Sequence, residues 1–271
     1  MHKEVKTMKT VLTIAGSDCG GAGGIQADIK TITAHKLYAT SVITSMTAQN
    51  TTGVYDIQES TPKFLGRQID CVFQDIYPDA VKIGMVSSEE LIEVIAYKME
   101  EYHVKNLVLD TNIVSNSGRA LIGSKAERII LRRLFPMASL ILPSIPEAET
   151  ISGISIDSIE DMGAAAGIIS QKYGVKGIFF REGHRITEKG DMLFENGKIT
   201  WIEGGYKEST KSMGKGCALS AAVACNLAKG EILTESVKKA KQYAKMAAEN
   251  SLELGKGKNP INHFFEITET V

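Results

Sequence analysis

The feature that most constrains this chain is an alternation of short apolar runs with longer helix-periodic stretches. The apolar runs are Thr10–Ala15, Ala39–Met46, Ala80–Ile83, Asn106–Leu109, Leu140–Leu142 and Gly177–Phe180. Most are rich in Val, Ile and Leu without clean polar alternation, the pattern of strands covered on both faces. Between them lie helical stretches at Ile25–His35, Thr61–Ile76, Ser88–Tyr102, Lys125–Leu134 and Ile159–Tyr173. That rhythm predicts an α/β fold, a mostly parallel sheet wrapped by helices. After Phe180 the pattern changes. Asp191–Phe194 and Lys198–Glu203, joined around Asn196-Gly197, predict a hairpin. Helices at about Cys217–Lys229 and Thr234–Leu254 follow. No linker or long repeat interrupts the 271 residues, so one domain is expected, with residues 1–8 as a flexible extension.

Charge narrows the partners. Thirty-one Lys+Arg against 32 Asp+Glu leave a formal charge of −1, without the basic excess that nucleic acid binding needs. No apolar run is long enough for a membrane span. The polar start, Met1 to Lys9, lacks the apolar stretch of a signal peptide, so the cytoplasm is expected. Cys19, Cys71, Cys217 and Cys225 form no zinc or disulfide pattern.

Two glycine segments point to a ligand. In Ala15-Gly16-Ser17-Asp18-Cys19-Gly20-Gly21-Ala22-Gly23-Gly24, five glycines fall between the first strand and the first helix. Glycine lets backbone approach a ligand closely, and a helix start offers unpaired N–H groups. A dinucleotide fingerprint is excluded, because Gln26 stands where its third glycine belongs and no acidic residue follows at the required spacing. The second segment, Ser212-Met213-Gly214-Lys215-Gly216-Cys217, opens another helix and suits an anion such as phosphate. A helix start also lowers a thiol's pKa, which bears on Cys217; a small residue packed in the first turn is the alternative. The stretch Gly205–Ser212 mimics a P-loop only in its Thr-Lys-Ser ending and is discounted.

Polar residues just past predicted strands complete the candidates, since open α/β sheets bind ligands beyond their carboxyl ends. They are Gln49, the Lys82-Ile83-Gly84-Met85 segment, Asp110, Glu147 and His184. Asp110 suits a magnesium-bound phosphate or a helix cap. His184 suits a general base or an exposed loop position. No Ser-His-Asp or His-Glu-x-x-His arrangement supports a hydrolase.

Taken in order, several of these motifs form a known pattern. They are Ala15-Gly16-Ser17-Asp18, Gly20–Gly24, Gln26-Ala27-Asp28, Ala48-Gln49-Asn50-Thr51, Lys82-Ile83-Gly84-Met85 and Pro146-Glu147-Ala148-Glu149. Gly216-Cys217, Gly255-Lys256-Gly257, Pro260 and Asn262-His263-Phe264 continue it. Over about residues 9–265 the chain resembles the hydroxymethylpyrimidine/phosphomethylpyrimidine kinases of thiamine synthesis, in the ribokinase-like superfamily. The resemblance implies a three-layer αβα sandwich with a central mostly parallel sheet. It also implies ATP and magnesium dependence and a homodimer, the alcohol and then its monophosphate being phosphorylated. Asp18, Gly23, Gln49 and Met85 would then hold the pyrimidine. Cys217, with Gly214, Lys215 and Gly216, would meet the reacting group. Asp110, Ser144, Glu147 and Arg181 would serve ATP and its phosphates, Asp110 and Glu147 organising the metal.

The departures from the family pattern gather on the phosphate side, at Ser144, Asp110-Thr111-Asn112, Glu182, Met213, Lys215 and Ala218. They leave two other readings open, a pyrimidine-binding paralogue with weak or absent phosphotransfer and a pyridoxal kinase. Lys215 supplies a charge that the family's neutral Thr does not.

Overall fold

A computed structural model describes residues 8–114, 119–203 and 212–266. The expected extension at 1–8 and the P-loop-like stretch at 205–212 lie almost wholly outside these residues. In chain order the first elements are β1 (Thr10–Asp18), α1 (Gly24–Ala34), β2 (Tyr38–Asn50), β3 (Gly53–Glu59), α2 (Pro62–Asp75), β4 (Ala80–Ile83) and α3 (Glu89–Glu101). There follow β5 (Leu107–Leu109), α4 (Ser124–Ile129), β6 (Leu140–Ile141), α5 (Ile145–Ser152), α6 (Ile159–Tyr173) and β7 (Gly177–Phe180). The chain ends with β8 (Asp191–Glu195), β9 (Lys198–Ile202), β10 (Ser212–Met213), α7 (Lys215–Ala228), α8 (Leu233–Glu249) and β11 (Asn259–Pro260).

Nine strands form one sheet in the order β3-β2-β1-β4-β5-β6-β7-β8-β9. The pairs from β2 to β7 are parallel, and the outer pairs β2–β3, β7–β8 and β8–β9 are antiparallel. Alternation along the strands sends their side chains to two cores. Leu12, Ile14, Val81, Ile83 and Leu109 pack with Leu65, Ile69, Leu91 and Ile169 of α2, α3 and α6. Val11, Ala80, Val108 and Phe179 pack with Ile32, Leu219, Val223 and Val237 of α1, α7 and α8. The result is the three-layer αβα sandwich. Among the described residues no helix is long and apolar enough to cross a membrane.

Several elements differ from the sequence expectation. β2 runs on to Asn50 and pairs with β3, a strand that went unread because its residues are largely exposed and leave no buried face to report. α5 also went unread, although Ser144 and Glu147 form a capping box around Pro146 at its start. The stretch at Lys125–Leu134 is α-helical only to Ile129 and continues as a π turn. The last helix stops at Glu249 rather than Leu254. The Asn-Gly hairpin is present, Asn196 and Gly197 both having positive φ (49° and 86°) as a type I′ turn requires.

Polar residues interrupt the second core where β1 and β4 meet α1. Thr13 of β1 stands opposite Lys82 of β4, and both face α1. Lys82 Nζ lies 2.8 Å from Asp28 Oδ2, to which Thr13 also donates at 2.5 Å. Both charged residues are fully buried, so each depends on the other for its solvation. Lys82→Met, which strands the carboxylate, is expected to lower stability by about 3–5 kcal/mol. The double replacement Lys82→Met/Asp28→Leu recovers most of that loss. Urea unfolding checks both; a single-variant cost within error of zero would show that the pair stabilises nothing.

Candidate active site

A cleft of about 770 Å³ opens beyond the carboxyl ends of the parallel strands, where a topology of this kind places its ligands. The two glycine segments build its floor. At Gly16 a register shift interrupts the β1–β2 ladder, and α1 starts against it: a Cβ on Gly24 would lie 2.2 Å from the Gly16 carbonyl oxygen. Asp18 shapes the turn between them. Its carboxylate accepts from Gly20 N at 2.8 Å, Ala22 N at 3.1 Å and Gly23 N at 2.8 Å. The carboxylate that the resemblance assigns to the pyrimidine is thus also the organiser of the loop.

The second segment locks onto the first. Gly214 has φ +98°, and a Cβ there would stand 2.3 Å from the Ala22 carbonyl oxygen, so only glycine fits. That contact aims the start of α7, with its unpaired N–H groups and positive dipole end, into the cleft. β10 just before it pairs with β11, and in the segment leading into β11 Gly257 N donates to Thr51 Oγ1 and Lys258 N to the Thr51 carbonyl after β2. Both ends of the cleft are therefore tied to the same loop.

Strand alternation then supplies the charges. Lys82, Asp110 and Arg181 all line the cleft. Arg181 reaches Asp110 Oδ1 at 3.3 Å and Glu147 Oε2 at 3.1 Å. The two acids differ in what they have left to offer. Glu147 accepts from Ile113 N, Ser144 N, Ser144 Oγ and Arg181, is buried, and does not line the cleft. Asp110 lines the cleft with a buried Oδ1 that accepts no hydrogen bond. Of the two acids expected to organise a metal, Asp110 lines the cleft, whereas Glu147 sits behind it, engaged by α5, Ile113 and Arg181.

The other expected residues converge. Asp18, Gly23, Gln49, Met85, Ser144, Lys215, Gly216 and Cys217 line this one cleft. A bulge between Ala48 and Gln49 re-aims the strand end at Gln49. Met85 is exposed in the cleft wall. His184 lines the cleft too and is hydrogen-bonded to Asp191, which is paired with Lys241 at 3.0 Å. Sequence reasoning missed Lys258 as a cleft residue, and it named Lys82 and Glu182 only within their segments, without a role. For Lys82 the signal was present, a lysine inside the otherwise apolar Ala80–Ile83 run.

Electrostatics overturn one expectation. Burial would lower the Lys82 ammonium, but the Asp28 and Asp110 carboxylates outweigh it and hold the group protonated. For Cys217 burial dominates and pushes the thiol up to about 11, against the pull of Lys82 and the Gly24 N–H. The helix start therefore does not make a thiolate here. Burial pushes the Lys215 ammonium down, Glu182 pulls it back up and Lys258 pushes it down again.

A parallel sheet with ligand-ready helix starts and a cation-lined cleft defines the class: this is a ribokinase-like kinase fold. The profile described as phosphomethylpyrimidine kinase matches residues 18–262, and the chain belongs to that family. It is 36% identical over 255 residues to the hydroxymethylpyrimidine/phosphomethylpyrimidine kinase of Bacillus subtilis, covering 93% of this chain and 94% of that one. It is 40% identical to the thiamine biosynthesis bifunctional protein ThiED of Geobacter sulfurreducens, covering 94% of this chain but only 52% of that longer protein. Among solved structures, phosphomethylpyrimidine kinase from Clostridium difficile superimposes with TM-score 0.79 at 40% identity, over 88% of this chain and 99% of that one. The ADP complex of Bacillus subtilis pyridoxal kinase gives 0.87 at 27% identity, over 97% and 100%.

The thiol assignment is testable. Cys217 is expected to resist iodoacetamide at pH 7–8, because below about 11 it is protonated, and its alkylation should climb with pH toward that value. Mass spectrometry of peptides, with exposed Cys19 and Cys71 as internal references, reads the rates. A Cys217 rate that levels off near neutral pH contradicts the assignment.

Proposed function

We propose that the chain transfers the γ-phosphoryl group of ATP to hydroxymethylpyrimidine and then to its monophosphate, in thiamine biosynthesis. The observation that carries this reading is the convergence of Gln49 and Met85 with the α7 start in one cleft. An amide can donate to a ring nitrogen and accept from an exocyclic amine, so Gln49 suits an aminopyrimidine, with Met85 against the ring face. The hydroxymethyl group then points to Cys217 and the Gly214–Gly216 backbone. The nucleotide phosphates lie toward Lys215, Arg181 and Ser144.

Magnesium, when bound, neutralises charge on the transferring phosphates. Asp110, whose buried Oδ1 accepts no hydrogen bond and is ion-paired to Arg181 at 3.3 Å, is the residue that would hold it. Among the described residues no three His, Cys, Asp or Glu side chains group as a metal cage, which suits an ion held mainly by phosphate oxygens and water. Since Cys217 stays a neutral thiol, its contribution is to hold and orient the acceptor hydroxyl. The N–H groups of α7 and the Lys215 charge oppose the anionic charge of the transferring group.

The non-catalytic paralogue and the pyridoxal kinase are less favoured. Relatives 34–40% identical carry pyrimidine kinase or thiamine biosynthesis names, whereas the pyridoxal kinase structures share 26–27%. A coupled ADP-release assay with hydroxymethylpyrimidine, its phosphate and pyridoxal tests the reading. Turnover is expected on the two pyrimidines, and Gln49→Ala should weaken pyrimidine binding by roughly 1–3 kcal/mol while leaving ATP binding intact. Turnover on pyridoxal alone, or unchanged pyrimidine affinity in calorimetry of the variant, would refute it.

The proposal extends to a cytoplasmic homodimer. β3 is an edge strand of the sheet and, with β2, exposes Met46, Val54, Tyr55 and Ile57 over its two faces, an apolar edge that a second copy would cover. Sedimentation equilibrium should give a dimer for the native chain and a monomer for Tyr55→Asp. Identical masses for the two chains would exclude this face.

A further inference from the structure

Glu182 follows β7 directly on the cleft wall, with φ 66° and ψ 19°. Glycine occupies that left-handed region freely, whereas a residue with a Cβ does so at a cost. Its carboxylate pairs with Arg185 at 3.2 Å, and the Arg185 side chain is 58% exposed. A pair so exposed contributes little to stability, so it does not account for the strained backbone.

The surroundings do. Glu182, Arg185, Lys215 and Lys258 line the same cleft. Arg181, the adjacent cation, is already paired with Asp110 and Glu147. Lys215 is half-buried at the start of α7, and Glu182 is the anion that favours its charged form while Lys258 opposes it. The left-handed turn thus sets one carboxylate among the cations that phosphates would meet.

We propose that Glu182 is a built-in counter-ion of the phosphate cradle, neutralising Lys215 and Arg185 until nucleotide phosphates displace it, and so sets nucleotide affinity. This rests on the reading that the cleft takes a nucleotide. Phosphate groups carry more charge and more acceptors than one carboxylate, so they win the cations, and the lost Glu182 contacts are subtracted from binding. Removing the carboxylate charge therefore tightens the nucleotide.

Calorimetry with a non-hydrolysable ATP analogue, with and without Mg2+, on native protein, Glu182→Gln and Glu182→Gly tests this. Both variants are expected to bind roughly three- to tenfold tighter, the size of one partly screened charge interaction, and less so at high salt. In a Lys215→Gln background the same Glu182→Gln change should gain less. Glu182→Gly, which also frees the backbone, should keep a Tm at or above that of the native chain. Equal nucleotide affinity in all three chains overturns the counter-ion. So does tightening in the Gly variant alone, which would make backbone strain the cause. A loss of affinity confined to Mg2+-containing titrations also overturns it, by making Glu182 a metal ligand. Absence of nucleotide heat in the native protein and both variants overturns instead the nucleotide reading beneath it.

Discussion

The ion pair between Lys82 and Asp28 fixes the relation on which the site depends. It ties β4, near the centre of the sheet, to α1 in the layer above, and both partners are fully buried. Two such charges out of water require each other, so the pair tolerates little relative movement of strand and helix. α1 in turn carries the Gly20–Gly24 turn at its start, and Gly214 packs on the Ala22 carbonyl of that turn. Through these contacts one buried pair sets where the N-terminus of α7 points. Gly84 shows how closely this is fitted: a Cβ there would lie 2.8 Å from Lys82 Nζ and 2.9 Å from Ala15.

Much of this was legible from the residues. Parallel strands announce themselves by unbroken apolar runs, and Leu107–Leu109 and Gly177–Phe180 did so. The glycine segments marked their own function, because backbone that must pass within contact distance of other backbone has no other residue to use. What stayed hidden had a physical reason in each case. β3 shows no burial pattern, because its two faces are largely open. The helix start at Ser144 was masked by two prolines at Pro143 and Pro146, which read as loop until the Glu147 side chain is seen to close the box. Glu182 shows in the sequence only as a departure from the family pattern, since a left-handed backbone angle is visible only in three dimensions.

The two acids beside Arg181 show how a sequence reading of like residues divides in space. Asp110 and Glu147 both follow strands, and by position alone they are equivalent. The capping box makes the difference. Glu147 accepts from its own helix start, from Ile113 N and from a guanidinium and does not line the cleft, whereas Asp110 lines it with an Oδ1 that accepts no hydrogen bond and is ion-paired to Arg181. Glu147 therefore acts through Arg181. It holds the guanidinium against the mouth of α7, where a Cβ on Gly216 would meet Nη1 at 2.9 Å.

Cys217 completes the argument about charge. A helix start favours the thiolate, and so does the Lys82 ammonium, yet burial outweighs both. The same desolvation makes the cradle effective for phosphoryl transfer, because N–H dipoles and a buried ammonium act more strongly where water is excluded. A permanent thiolate there would repel the phosphates that the site collects. With Lys82 balanced by Asp28 and Cys217 un-ionised, no thiolate cancels the positive end of α7, so a buried neutral Cys217 and an anion-ready α7 start are two consequences of one low-dielectric pocket.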